Sequence, residues 1–198
     1  MTTIFGLTGG IACGKSTVAS CFVKAGIPMV DADLVARSVA VPGSKVMKQL
    51  VKFFSPDILH ADGSLNRRAL GMMVFHDPKQ MAQLNEIMRT PIKKAIDAAL
   101  KATAKTTSLM GYDCALIIET GQQDKFRPLV VVATTPKVQL QRLMARNSLT
   151  ELEAKSRIES QMSTTDKLQY ADFVIWNNGD EGELISRTMD VCRELRAL

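Results

Sequence analysis

Residues 9–17 read GGIACGKST, directly after the β-prone run Thr3-Ile4-Phe5-Gly6-Leu7. No other stretch constrains the chain as tightly. Gly9, Gly14, Lys15 and Ser16 satisfy the spacing G-x-x-x-x-G-K-[ST], and each has a physical reason to be there. Glycines let the backbone curl until successive N–H groups converge on phosphate oxygens. A helix opening near Lys15 adds the positive end of its dipole. The lysine reaches the β- and γ-phosphates, and the serine hydroxyl ligates Mg²⁺. The run Gly9-Gly10-Ile11-Ala12-Cys13-Gly14-Lys15-Ser16-Thr17 is therefore a candidate cradle for a nucleoside triphosphate, with Thr17 adding a hydrogen bond. The context such a loop needs is present. A strand precedes it, and Val18, Cys21, Phe22 and Ala25 follow at helical spacing up to the stop at Gly26.

Ile27-Pro28-Met29-Val30 reads as a second strand, ended by Asp31 and Asp33. Strand, loop, helix and strand open a parallel α/β sheet. From about residue 34 to 105 only helices are expected. Asp77-Pro78 and Thr90-Pro91 each read as a cap followed by an N1 proline. Val46, Leu50, Phe53 and Phe54 form one apolar face, and Met88, Ile92 and Ile96 another. Strands are expected again at 115–118, 129–132 and 173–176, since uninterrupted apolar runs suit a sheet covered on both faces. Pro136 opens a helix to Arg146, Thr150 and Glu153 form a capping box, and Asn177-Asn178-Gly179 is a turn before a closing helix. The expected fold is α/β, a central parallel sheet flanked by helices in one domain over 1–198, with helical segments at 34–108 and 137–168.

At 198 residues such a domain buries its core without staples. Its 25 Lys and Arg against 20 Asp and Glu leave a charge of +5, which suits a polyanionic ligand. No dense Lys/Arg run is interleaved with aromatics, so nucleic acid is not expected as a partner. Cys13, Cys21, Cys114 and Cys192 are scattered, without a CxxC pair, and with His60 and His76 they form no zinc constellation. Free thiols, no signal-peptide pattern and no stretch of membrane-spanning length point to a cytoplasmic protein without a membrane partner. Nothing in the sequence speaks to oligomeric state.

A triphosphate loop alone does not define a reaction. The guanine-reading N-K-x-D tetrapeptide of GTPases is absent. A small kinase needs a carboxylate that orients an acceptor hydroxyl. Asp33 meets that need, because it follows the second strand and so falls at the carboxyl edge of the sheet, where ligands of open α/β sheets bind. Asp31 fits a helix cap as well as a site residue. Glu119, read as following a strand at 116–118, is a candidate acid for a magnesium-bound water.

LTGGIACGKST with VDADLVAR, DGSLNRRAL with VFHDP, QLQRLMARN, and ESQMSTTDKLQYADFVIWNNG together resemble the dephospho-coenzyme A kinase family over most of the chain. The resemblance implies a P-loop kinase fold in which 34–108 is a helical acceptor-binding insertion and 137–168 a lid. It also implies transfer of the ATP γ-phosphoryl group to the ribose 3′-hydroxyl of dephospho-CoA, with Mg²⁺, giving ADP and coenzyme A. Asp33 then faces the acceptor hydroxyl, and Thr8 lies near the reacting groups. Arg142 and Arg146, at i and i+4 on one helix face, close over the phosphates. Asn178 and Gly179 pack against adenine. Arg67, Thr90, Glu119 and Lys167 are candidate acceptor-side contacts.

The match has departures. The loop carries Ala12 and Cys13 where the family usually has glycine and serine, and an alanine would be strained if φ there is positive. Oxidation of Cys13 is a candidate block on nucleotide binding. Thr90-Pro91 stands for a usual His-Pro, Ala115 for a proline, and Asn147 for an aspartate. Two other readings share the loop: a kinase for another small metabolite or nucleotide, and a degenerate ATP-binding regulator.

Overall fold

The computed structural model describes residues 2–75 and 77–198; His76 of the VFHDP stretch lies outside them. The chain divides into two compact units, one of residues 1–31 with 103–198 and one of residues 32–102.

In the first unit the strands are β1 (Thr3–Gly9), β2 (Met29–Asp31), β3 (Leu109–Asp113), β4 (Leu129–Ala133) and β5 (Phe173–Trp176). They form a parallel sheet in the order β2-β3-β1-β4-β5. Phe5 and Leu7 of β1 and all of β4 are buried, as strands covered on both faces require. Helices α1 (Lys15–Lys24) and α9 (Glu181–Arg196) cover the sheet, and Val18, Phe22, Leu184, Val191 and Leu195 share a core with β1 and β4. Between β4 and β5 lie α6 (Pro136–Asn147), α7 (Glu151–Glu159) and α8 (Thr164–Leu168). The capping box at Thr150 and Glu153 opens α7, and Asp180 caps α9 by accepting from the Glu183 N–H at 2.8 Å.

One strand lies elsewhere than expected. Residues 115–118 form turns, in which Leu116, Ile117 and Ile118 accept from the N–H groups of Thr120, Gln122 and Gly121. Ile117 and Ile118 are apolar because the turn packs inward, and neither sits in the sheet. The true β3, Leu-Met-Gly-Tyr-Asp, is less apolar. A Cβ on Gly111 would lie 2.3 Å from Met29 Sδ, so glycine is what lets β2 and its side chains close on β3.

The second unit is helical, as expected: α2 (Ala32–Ser38), α3 (Lys45–Phe54), α4 (Arg67–Phe75) and α5 (Pro78–Thr103). Its core gathers Val46, Leu50, Phe54, Ile58, Leu70 and Val74, whereas Phe53 points outward at 51 % exposure. Asp77 caps α5 from just before Pro78, accepting from the N–H groups of Lys79 and Gln80. Thr90-Pro91 is not a second start. Pro91 sits inside α5, which runs on to Thr103. A proline there removes one backbone bond, and Leu84, Ile87 and Met88 on the turns before it pack on the core and hold the helix through. No helix among the described residues is long and apolar enough to cross a membrane.

Candidate active site

The phosphate loop joins β1 to α1 and bends at two residues of positive φ, Ala12 at 60° and Gly14 at 94°. Glycine is needed twice over at position 14, since a Cβ would lie 2.1 Å from Asn177 Nδ2. Ala12 takes its left-handed conformation at a cost of about 1–2 kcal/mol for an L-residue, so the strain expected of alanine here is present. Gly10 is covered closely, its missing Cβ falling 2.9 Å from Gln139 Nε2. A helix start leaves its first N–H groups without intrahelical carbonyls; in α1 those of Thr17 and Val18 donate to the Gly14 carbonyl at 3.1 and 3.2 Å.

Lys15 forms an ion pair with Asp113, the last residue of β3, on the strand beside β1. Both side chains are largely buried, at 18 % and 5 % exposure. Asp113 is the acidic residue that sequence reasoning missed. Its signal is a β-strand ending in an acid two residues before the apolar run at 115–118. Glu119, given that role from sequence, is not at a strand end. Its Oε1 accepts from Lys167 Nζ at 2.6 Å and from the Met162 N–H at 3.3 Å. Lys167 is fully buried and also donates to the Ala115 carbonyl at 3.0 Å. The two residues are paired with each other, and Glu119 keeps 21 % of its side chain exposed. Thr8 is buried as well, and its hydroxyl donates to the same Ala115 carbonyl at 3.0 Å. Through that bond it supports the turn after β3.

Ser16 is exposed on the first turn of α1. Thr17 lines a cavity of about 310 Å³ with Ala12, Gly14, Arg142, Asn177 and Gly179. Arg142 Nη1 donates to the Asn177 carbonyl at 2.8 Å and Nη2 to that of Gly179 at 3.5 Å. Arg146 does not line this cavity and instead donates to Asn147 Oδ1 at 2.9 Å. Spacing put the two arginines on one face, but only Arg142 sits beside the loop. Asn178 accepts from the Thr134 hydroxyl at 2.9 Å and the Thr135 N–H at 2.8 Å, tying the turn after β5 to the end of β4. Its neighbour Asn177, which the sequence did not single out, donates from Nδ2 to the Cys13 carbonyl at 2.9 Å. Cys13 is fully buried. Burial pushes its thiol up, against smaller opposing effects from Thr164, the Gly10 and Thr134 backbone and Arg142. A buried thiol with a raised pKa is a poor target for oxidation, so the expected redox block has no support in the geometry.

The helical unit holds its own cavity of about 530 Å³. Asp33, Arg37 and Arg67 supply its charged groups, and Leu70, Val74 and Met88 part of its apolar wall. Arg67 Nη2 donates to the Arg37 carbonyl at 3.1 Å, which fixes the guanidinium at the rim. Asp33 lies exposed in the first turn of α2. Thr90 is exposed and does not line the cavity, although Met88 and Ile92 on either side of it do.

Residues 3–183 match the family model described as dephospho-CoA kinase. A dephospho-CoA kinase from Listeria monocytogenes is 43 % identical over 179 residues, covering 90 % of each chain. A solved structure from Thermus thermophilus superposes with a TM-score of 0.82 at 28 % identity, covering 98 % of each chain. A dephospho-CoA kinase from Campylobacter jejuni superposes with a TM-score of 0.72 at 25 % identity, covering 98 % of this chain and 97 % of that one.

Proposed function

The chain belongs to the dephospho-CoA kinase family, and on that premise we propose that it transfers the γ-phosphoryl group of ATP to the ribose 3′-hydroxyl of dephospho-CoA, giving ADP and coenzyme A. The observation that carries the nucleotide half is the loop itself, curled at Ala12 and Gly14 into α1 with Lys15 held beside Asp113. Backbone N–H groups at such a helix start bind phosphate without a side chain, and Lys15 neutralises charge as the γ-phosphoryl group leaves. Arg142 reaches the same cavity and stabilises charge on the transferring group.

Magnesium takes oxygen donors and in phosphoryl-transfer sites is held by one or two protein groups together with phosphate oxygens and water. The Ser16 hydroxyl and the Asp113 carboxylate are donors of that kind and would hold it. Held there, it would supply charge neutralisation for the nucleotide's phosphates.

The acceptor half rests on the cavity of the helical unit. An apolar wall with two arginines and a carboxylate suits a long molecule with an uncharged arm, an internal diphosphate and a sugar hydroxyl to be activated. Asp33 orients that hydroxyl and takes its proton, while Arg37 and Arg67 bind the acceptor's phosphates.

The deciding experiment is ADP release from MgATP with and without dephospho-CoA, with coenzyme A identified by mass. Release that requires dephospho-CoA is the expected outcome. MgATP binding with no dephospho-CoA-dependent release removes this acceptor. A screen of other small alcohols then separates a kinase of different specificity from an ATP-binding protein without turnover. Asp33→Asn is expected to lower kcat about 10²–10⁴-fold, the usual worth of a positioned general base; near-normal turnover would reassign the base.

A further inference from the structure

Ile11 lies at the tip of the phosphate loop, and both of its backbone polar groups are taken by side chains from outside the loop. Its N–H donates to Gln161 Oε1 at 2.8 Å, and its carbonyl accepts from Gln139 Nε2 at 2.9 Å. Two residues on, the Cys13 carbonyl accepts from Asn177 Nδ2. Between these anchored peptides sits Ala12 at φ 60°, the one loop residue with a Cβ in the left-handed region. The anchors come from three places. Gln139 is on α6, one turn before Arg142; Gln161 lies between α7 and α8; Asn177 follows β5 and accepts from Arg142 through its carbonyl. Gln139 and Asn177 are buried, at 6 % and 7 % exposure.

We propose that Gln139, Gln161 and Asn177 are positioning residues that clamp the loop on both sides of Ala12, at the 10–11, 11–12 and 13–14 peptides, and so hold it in its nucleotide-binding shape. Without them Ala12 relaxes toward negative φ, because the left-handed conformation costs an alanine energy that no contact of its own side chain returns. The peptides on either side then rotate, and the N–H groups that should converge on phosphate diverge. None of the three side chains needs to touch nucleotide for this. The clamp also links the loop to the helix that bears Arg142, since Gln139 and Arg142 are separated by one turn and share a face of α6. The inference rests on the proposed reading of the loop as an ATP site.

The test uses the full chain, MgATP as the probe and two readouts, the dissociation constant for MgATP without acceptor and the separate KM values for MgATP and dephospho-CoA. Gln161→Met keeps length and removes the acceptor. It is the mild variant, because Gln161 is only half-buried. Losing one such hydrogen bond is expected to raise both the dissociation constant and the KM for MgATP about three- to tenfold, with the KM for dephospho-CoA unchanged. Gln139→Met is expected to act in the same direction. Adding Ala12→Gly to Gln161→Met is expected to restore at least half of the lost affinity, since glycine adopts φ 60° without strain. A merely structural loss would not be rescued by a second change in the loop. The proposal is overturned if soluble Gln161→Met binds MgATP within twofold of the parent, if both KM values rise together, or if Ala12→Gly gives no rescue. If the parent protein itself binds no MgATP, the reading of the loop fails, and the clamp fails with it. Should Gln139→Met not fold, Gln161→Met decides the matter alone.

Discussion

The phosphate loop and the cavity of the helical unit recognise their ligands by opposite means. The loop works with backbone. Its shape is set by two positive φ angles, by a glycine whose Cβ would strike Asn177, and by carbonyls and N–H groups held from outside. The cavity works with side chains. Arg37, Arg67, Asp33 and an apolar wall from α3, α4 and α5 reach it from widely separated positions, and no backbone strain among the described residues marks it. A backbone site tolerates little change in sequence because each residue answers to a dihedral angle. A side-chain site can be rebuilt for another acceptor while the helices stay in place. Neither family departure falls in that wall: Thr90 is exposed outside the cavity lining, and the Ala115 carbonyl accepts from Thr8 and Lys167.

Substitution of Lys15 strikes the loop hardest. Lys15→Ala removes both the phosphate contact and the partner of Asp113. It is expected to cut kcat about 10²–10³-fold, the scale of losing one charge-stabilising donor in a reacting site. Single-turnover kinetics with MgATP and dephospho-CoA would measure it, and unchanged kcat would end the assignment of this loop as the reacting site.

Arg67→Ala asks whether the two sites are separable. A charge-assisted bond to an acceptor phosphate is worth about 1.5–3 kcal/mol, so the KM for dephospho-CoA is expected to rise roughly ten- to a hundredfold, with the dissociation constant for MgATP unmoved. A rise in both constants would mean that Arg67 serves the nucleotide and that the contrast drawn above is mistaken. An exposed variant at the rim is not expected to disturb the core formed by Val46, Leu50, Phe54 and Ile58.

The same contrast explains what could be read before the fold was in hand. The loop was legible because its requirements are local. Glycine, lysine and serine at fixed spacing between a strand and a helix leave few alternatives, and even the strain at Ala12 followed from the residue type. Asp113 was hidden because its strand contains Gly111 and Tyr112 and looks weaker than the inward-packed turn at 115–118. Burial was mistaken for strand pairing, and the acid at the wrong end, Glu119, was chosen with it. Lys167 reads from the sequence as a candidate acceptor contact, yet it is fully buried against Glu119. No periodicity reveals a pairing 48 residues apart. Gln139, Gln161 and Asn177 were missed for the same reason: their partners are backbone atoms far along the chain, which leave no signature in side-chain type. Pro91 misled in the opposite sense, since tertiary packing carried α5 through a residue that local rules place at a helix start.

The smallest expected effect concerns Cys13, and it tests how rigid the loop is. Its thiol lies in the core beneath the loop, and burial raises its pKa above the ordinary thiol value. A raised pKa leaves less thiolate at neutral pH, and the thiolate is the species that reacts. With iodoacetamide at pH 7.5, peptide mass spectrometry of the folded protein is expected to find Cys13 unmodified while the partly exposed Cys114 is labelled. Raising the pH speeds both reactions but keeps Cys13 the slower. Mild peroxide is likewise expected to leave turnover unchanged. Labelling of Cys13 ahead of Cys114 would show that the loop opens readily to solvent. A clamp that lets its own tip unfold at neutral pH cannot be what holds Ala12 at positive φ, so the slow reaction of this one thiol and the nucleotide affinity of the Gln161 variant stand or fall on the same rigidity.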